Sequence, residues 1–379
     1  MMVDISKKNI LSFRARMLLY AYAWKSKQKI VVIESDDWGS IRTSSEVAFD
    51  YLVSNGYNME NSVYSYDSLE TNEDLEYLYE ILSAHVDSEG NPACFTANVI
   101  LANPDFDKIK RSDFQEYYYE TVQETASTFK KSNRIIELWK NGYNNNLFYP
   151  QVHAREHVKY WTWLSDLKNG IPEAVQTFQL GMCGVPQKVS KTGTSYYSPL
   201  YSDEKILRKN DVHQTILVTE AFQLFESLFG FPSKSTIAPN CGWTDETEKI
   251  WKQNGVKYIQ GGFLQEHHKE SHIQYIPRYL GEKSTNTNLI YLVRNCTFEP
   301  SKSKNNNYWQ KTLRQVERSF KLNTPAIIST HRINYTGSIN ENIRSNSLKQ
   351  LDTLLRVIKE KWPDILFYNS VQLGDAISQ

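Results

Sequence analysis

Cysteine is scarce: four residues, Cys94, Cys183, Cys241 and Cys296, in a chain of 379. No two are spaced as a CxxC pair, which excludes a zinc-finger framework and a disulfide-built scaffold and fits free thiols in a reducing compartment. Charge of one sign is also lacking. Lys and Arg total 43, Asp and Glu total 43, and the formal net charge is zero. A nucleic-acid binder usually carries a basic excess or stripe, and none is visible, so a small or neutral partner is expected and no nucleic acid. No run of 18 uncharged apolar residues occurs, so no transmembrane helix is expected. The start of the chain lacks a signal-peptide layout, because Arg14 and Arg16 interrupt any apolar stretch there. A cytoplasmic protein is the resulting expectation. Internal repeats, low-complexity tracts and a clear linker are absent as well. The simplest organisation is therefore one domain over residues 1–379, with the "KSKNNN" stretch at 302–307 as a loop.

Aromatic residues are abundant at 13%, with 24 Tyr and 9 Trp. They serve packing, or they stack on sugar faces, where a ring covers C–H surface and a polar tip binds hydroxyls. The length suits one large α/β barrel or two ordinary domains.

Strand-like and helix-like patterns alternate along the chain. Residues 9–25 read as a basic amphipathic helix. It packs on the domain as part of an N-terminal segment, 1–29, or else lies on a membrane surface; packing is favoured. Buried strands are expected at 30–35, 91–101, 146–153, 235–240, 256–262, 288–298, 324–332 and 364–370. Helices are expected at 154–167, 211–230, 244–255 with Thr244 as cap, and 345–362. The alternation implies a mostly parallel sheet or an α/β barrel.

In such barrels functional side chains project from the C-terminal ends of strands. Four strand ends carry polar groups: Asp36–Asp37 in "VVIESDDWGSIR", His153 and His157 in "HAREH", the "APNCGW" segment at 238–243, and His331 in "STHR". Histidines at i and i+4 share a helical face and can chelate one divalent ion. The order differs from the zinc-protease HExxH, since Glu156 adjoins the second histidine. Two histidines and one carboxylate suit catalytic zinc with a position left for water, and Asp36 or Asp37 can supply the carboxylate. Two adjacent carboxylates repel, and placing one on a metal relieves this and leaves the other as a candidate base. "EHHKESH" at 266–272 reads as a solvated loop, and Cys241 as structural, because nothing nominates a base or oxyanion site for it.

"ESDDWGS", "HAREH", "APNCGW" and "STH" resemble, in order and type, the motifs of the polysaccharide deacetylases (NodB-like, carbohydrate esterase family four). The resemblance touches short islands between roughly residues 30 and 335. It implies a distorted (β/α)7 barrel with helical insertions. It also implies Asp36 as base, Asp37, His153 and His157 as ligands of one divalent metal, Zn2+ by expectation, and His331 as general acid. The activity implied is removal of an acetyl group from an N- or O-acetylated sugar or polysaccharide precursor.

The sequence departs from that pattern in three places. Ile237 stands where the family has an arginine that orients the base, and Arg42, Arg155, Arg294 and Arg332 are the candidates to replace it. The stretch between Asp37 and His153 is long, which implies a helical insertion within 105–145. The family's fourth motif is replaced by "RNCTFEP", with Glu299 as a partner for His331 or as a plain salt bridge. Trp38, Asn240, Trp243, Arg155, Arg294 and Glu299 are the candidate substrate-binding residues, and Tyr335 is a further aromatic beside the motifs. Two other functions remain open: a metal-dependent glycosidase or other amidohydrolase on the same barrel, using Glu299 or Glu34 as a second carboxylate, and a non-catalytic glycan-binding relic, which the missing arginine would explain.

Overall fold

The computed structural model describes residues 13–197, 211–268, 273–303 and 306–379. The beginning of the helix expected at 9–25, the end of "EHHKESH" and the middle of "KSKNNN" lie outside the described residues.

The first strand, Ile30–Trp38, is buried along its whole length. A near-continuous apolar run of this kind is what a parallel strand covered on both faces requires. It pairs in parallel with Ala326–His331 on one side. On the other side its start pairs with Leu366–Tyr368 and its end with Phe95–Ile100. The sheet continues, always in parallel, through Phe148–Ala154, Ser235–Thr236, Tyr258–Gly261 and Ile290–Val293. After two intervening residues, Arg294 and Asn295, Cys296–Thr297 pairs with Ala326–His331 at the opposite end of the same sheet. The Arg294 N–H donates to the Gly261 carbonyl at 2.8 Å, and the Asn295 N–H to the Ile327 carbonyl at 3.1 Å. Adjacent residues thus bond to opposite edges, and the sheet rolls into a distorted barrel of seven staves wrapped by helices.

Two features of the first strand shape its mouth. Its register with Phe95–Ile100 shifts between Ser35 and Trp38, and Asp37 sits at φ 77° in the left-handed region. A bulge there lets two consecutive carboxylates reach the same end of the barrel, at a conformational cost of about 1–3 kcal/mol. Gly39 follows at φ 88°, where a Cβ would lie 2.7 Å from the Ile100 carbonyl oxygen, so only glycine fits.

Elsewhere the elements match the periodicities with a few differences. Thr244 caps the helix Asp245–Gln253, and the long helix near the end runs over Glu341–Lys361. The helix expected at 154–167 begins only at Tyr160. Glu266, His267 and His268 of "EHHKESH" lie in a strand, Leu264–His268, that pairs antiparallel with Ile273–Pro277. Between residues 102 and 145 lie three short helices, Phe106–Arg111, Val122–Thr128 and Ile135–Asn144, and a small antiparallel pair, Ala102–Pro104 with Tyr119–Thr121. Further helices, Tyr160–Lys168 and Pro172–Gln179, build a second apolar cluster around Trp163 and Phe178. Helix Phe13–Tyr22 lies against the barrel: Tyr20 is buried with its ring 5.5 Å from that of Phe263, and the Trp24 N–H donates to the Leu280 carbonyl at 2.8 Å. Among the described residues no helix is long and apolar enough to cross a membrane.

Candidate active site

A cavity of about 1260 Å³ opens at the C-terminal ends of the strands. Asp36, Asp37, His153, His157, Arg294 and His331 all line it, as does Asn240. The barrel places them together because each sits at, or just past, the end of a parallel strand; Asp36 and His331 are register partners on neighbouring strands.

Asp36 is held by three donors. Arg294 contributes Nη1 at 2.6 Å and Nη2 at 2.7 Å, one to each carboxylate oxygen, and Asn98 Nδ2 donates at 2.8 Å. Burial opposes ionisation, but Arg294 outweighs it and holds the carboxyl down to about 2. The Arg294 Nε donates to Glu34 at 2.6 Å, and Ser370 Oγ donates to the same carboxylate at 2.7 Å. Of the four candidate arginines, only Arg294 hydrogen-bonds to Asp36. Arg42 bonds to Asp37 at 3.3 Å and pairs with Asp67 at 3.1 Å. Arg155 is taken by Glu156 and Glu220 and lies over the Tyr119 ring. Arg332 is fully buried on Asp67 and Glu70.

Asp37, His153 and His157 form a buried cluster whose potential donor atoms lie within 4.8 Å of one another. Asp37 Oδ1 is 3.5 Å from His153 Nε2 and 4.0 Å from His157 Nε2. Ligand atoms on one ion at bonds of about 2 Å stand about 3–4 Å apart. His153 Nδ1 is 2.9 Å from the Ile237 carbonyl oxygen. Donation of its N–H there leaves Nε2 with a lone pair toward Asp37. His157 Nδ1 is buried without a hydrogen-bond partner among the described residues. Burial, only partly offset by Asp37, pushes the His157 imidazole down to about 3, so it is neutral as a ligand must be. For Asp37, burial acts upward, but the Arg42 guanidinium holds its carboxyl well below the usual range. Around the cluster Arg42, Arg294 and Arg332 face five buried carboxylates, Glu34, Asp36, Asp37, Asp67 and Glu70. A carboxylate with two imidazoles is a donor set that fits one divalent cation.

The two histidines do not converge as the sequence suggests. His153 ends the strand Phe148–Ala154, and His157 lies in an irregular stretch before the helix at Tyr160. A strand end and the turn after it bring them together, not one helical face.

His331 Nδ1 hydrogen-bonds to Glu299, whose other oxygen accepts from Asn334 Nδ2 at 2.9 Å and lies 3.7 Å from Lys302 Nζ. Burial alone would lower the imidazolium pKa, but Glu299, with Tyr64 and Asp36, pushes it up to about 10. The His331 side chain keeps 25% of its surface exposed, toward the cavity. Tyr64 stands edge-on to this ring at 6.1 Å and accepts a hydrogen bond from Lys302 Nζ at 3.0 Å.

Four of the candidate substrate contacts lie elsewhere. Trp38 is fully buried, donates to Ser35 Oγ at 3.0 Å and packs on Phe148 and Tyr335; the bulge turns it into the core. Tyr335 is buried there with it. Trp243 is buried and donates to Glu248 at 2.8 Å. Arg155 is consumed by its two glutamates, and Glu299 sits behind His331. The residues that sequence reasoning missed are Asn98 and Gln260, which bond to each other and to Asp36 or Arg294, and the segment 60–66, which walls the cavity with Tyr64 and Tyr66. A polar residue in the middle of an otherwise apolar strand was the available signal for Asn98 and Gln260.

No protein-family model matches the sequence, and no curated protein matches it. Solved structures are similar at low identity. A 4-alpha-glucanotransferase from Thermococcus litoralis shares 8% identity over 91% of this chain and 40% of that one, with a TM-score of 0.45. The chain therefore spans less than half of that protein. A CE4 family pseudoenzyme from Bacillus anthracis shares 13% over 92% and 66%, at 0.38. A family 4 carbohydrate esterase from Streptomyces lividans shares 8% over 88% and 89%, at 0.35. A transferase, a pseudoenzyme and an esterase stand side by side here, so neither an activity nor its loss follows from these likenesses.

Proposed function

We propose that the protein is a metal-dependent hydrolase that removes an acetyl group from an N- or O-acetylated sugar. The observation that carries the reading is the meeting, in one cavity, of the Asp37–His153–His157 cluster, an Asp36 carboxylate clasped by Arg294, and a His331 held by Glu299. A divalent ion on Asp37, His153 and His157, with Zn2+ suited to that donor set, would supply Lewis acidity for the acyl carbonyl and acidify a water. Asp36, ionised and fixed in orientation by both Arg294 nitrogens, takes the proton from the attacking water. Arg294 costs Asp36 basicity and provides alignment in exchange. His331, protonated at neutral pH, turns its exposed edge to the cavity and delivers a proton to the departing amine or alkoxide. The Cys241, Gly242 and Trp243 N–H groups donate to the Ala238, Pro239 and Glu266 carbonyls, which leaves the Asn240 N–H, at positive φ beside the cavity, as the backbone candidate to hold the developing oxyanion.

The glycosidase reading lacks its second carboxylate. Glu34 is clamped by Arg294 and Ser370, Glu299 is occupied by His331 and Asn334, and neither lines the cavity. The relic reading rested on Ile237, and Arg294 provides the guanidinium from another strand. Acetate release from a panel of N- and O-acetylated sugars by metal-loaded protein, lost in Asp36→Asn, tests the proposal; acetate release that survives Asp36→Asn would sink the assignment of the base.

A further inference from the structure

The charges lining the cavity fall into two sets. At its floor Arg42 and Arg294 are spent on Asp37, Asp67, Asp36 and Glu34. The second set comes from two separate segments, Arg16 on the helix Phe13–Tyr22 and Lys188 in the turn after Pro186, while Lys302 is paired with Glu299. Arg16 and Lys188 are exposed and have no carboxylate within ion-pair distance among the described residues. Glu60 is the acidic lining residue away from the floor. The chain as a whole carries zero formal net charge, so this surplus is a matter of placement and not of composition.

Size points the same way. Pockets for drug-sized ligands run about 300–1,000 Å³, and this one, at about 1260 Å³, exceeds what a single acetylated ring fills. Unpaired cations around a concave mouth focus the field on an incoming anion and raise its encounter rate. Resting on the deacetylase reading above, we propose that the substrate is an acetylated sugar bearing an anionic group, a phosphate ester or a carboxylate, which Arg16 and Lys188 receive while the acetyl group reaches the floor.

Two measurements test this on metal-loaded protein. The first compares kcat/KM for acetate release from N-acetylglucosamine, its 1-phosphate and N-acetylmuramic acid, in wild type and in Arg16→Ala/Lys188→Ala. The second measures Kd for the same three sugars by calorimetry at low and high salt. The charged sugars are expected to be preferred. The double variant should lose about 2- to 25-fold of that preference, since an exposed ion pair is worth about 1.5- to 5-fold, with neutral-sugar turnover unchanged. High salt should erase it too. Stronger preference for the phosphate or for the carboxylate identifies the anion. Equal kcat/KM and Kd for neutral and charged sugars, or a preference that survives the double variant, overturns the inference. If no sugar releases acetate but the charged ones bind more tightly through Arg16 and Lys188, the deacetylase reading falls and the anion site stands.

Discussion

Arg294 grips Asp36 from 258 residues away in sequence, with one guanidinium nitrogen on each carboxylate oxygen at 2.6 and 2.7 Å. A planar fork of this kind fixes the carboxylate's rotation as well as its charge, which a lysine cannot do. Arg294→Lys is therefore expected to retain the fold and lose alignment, lowering kcat with little change in metal content. Arg294→Met leaves Glu34 and Asp36 buried without a cation, a loss of about 3–5 kcal/mol. Its melting temperature should fall well below that of Arg294→Lys. Equal melting temperatures for the two variants would show that the pairing contributes nothing to stability.

Asp36 and Asp37 are adjacent, yet the structure separates their surroundings, and their variants should separate by readout. Asp36→Asn is expected to keep one metal ion per chain while kcat drops about 10²- to 10⁴-fold, the range of a lost general base. Asp37→Asn should lose both metal and activity. Metal analysis of the two purified variants, beside acetate release, checks the division; metal loss in Asp36→Asn would put both carboxylates on the ion.

Chelation provides an activity-independent test of the cluster. Stripped of metal, the protein loses whatever stability an ion on Asp37, His153 and His157 contributes, so its melting temperature should drop and recover on addition of Zn2+, as for any ligand bound only by the folded state. His153→Ala and His157→Ala should abolish the recovery. An unchanged melting curve upon chelation and re-addition, with no ion found in the protein as purified, would argue against a metal at this site.

Much of this site can be read along the chain because strand ends announce themselves: an apolar run that stops in Asp36–Asp37 or His331 has few reasons to do so. The partner of Asp36 cannot be read that way. Four arginines were candidates, and the choice depends on barrel closure, in which the strand ending at Val293 hands over to Cys296–Thr297 and carries Arg294 across the mouth. The same limit explains His157. A spacing of four residues suits a helical face, yet the helix starts at Tyr160 and the convergence is made by a turn. Trp38 illustrates local geometry overriding position: one bulged residue, Asp37, rotates its neighbour from the mouth into the core.

Trp38 lies beside the aspartates in sequence and apart from the cavity in space, so its replacement should be felt in stability and not in substrate affinity. Trp38→Phe is expected to lower the melting temperature and leave KM for the sugar unchanged. Trp38→Ala should cost about 3–5 kcal/mol, as for a large aromatic removed from a packed core. Kinetics and thermal melts on the folded Phe variant check this; a raised KM with an unaltered melting temperature would restore Trp38 to the sugar subsite.

Glu299 makes His331 a histidine that keeps its proton. With the folded value near 10 and the unfolded one near 6.5, the pair contributes stability fully present below about pH 6.5 and lost as pH rises through about 10. Glu299→Gln removes the carboxylate that raises the imidazolium pKa and leaves burial, which lowers it. The variant should thus be less stable than wild type at neutral pH, and its melting temperature should lack the decline that wild type shows between pH 6.5 and 10. In activity, the alkaline limb of the pH–rate profile should move to lower pH, because His331, the proposed proton donor, deprotonates earlier. Lys302→Met removes a cation 3.7 Å from Glu299, and it should shift the same limb upward, since the carboxylate then acts on His331 unopposed. Matching alkaline slopes for wild type and Glu299→Gln, in both melting and rate, would place the acid elsewhere.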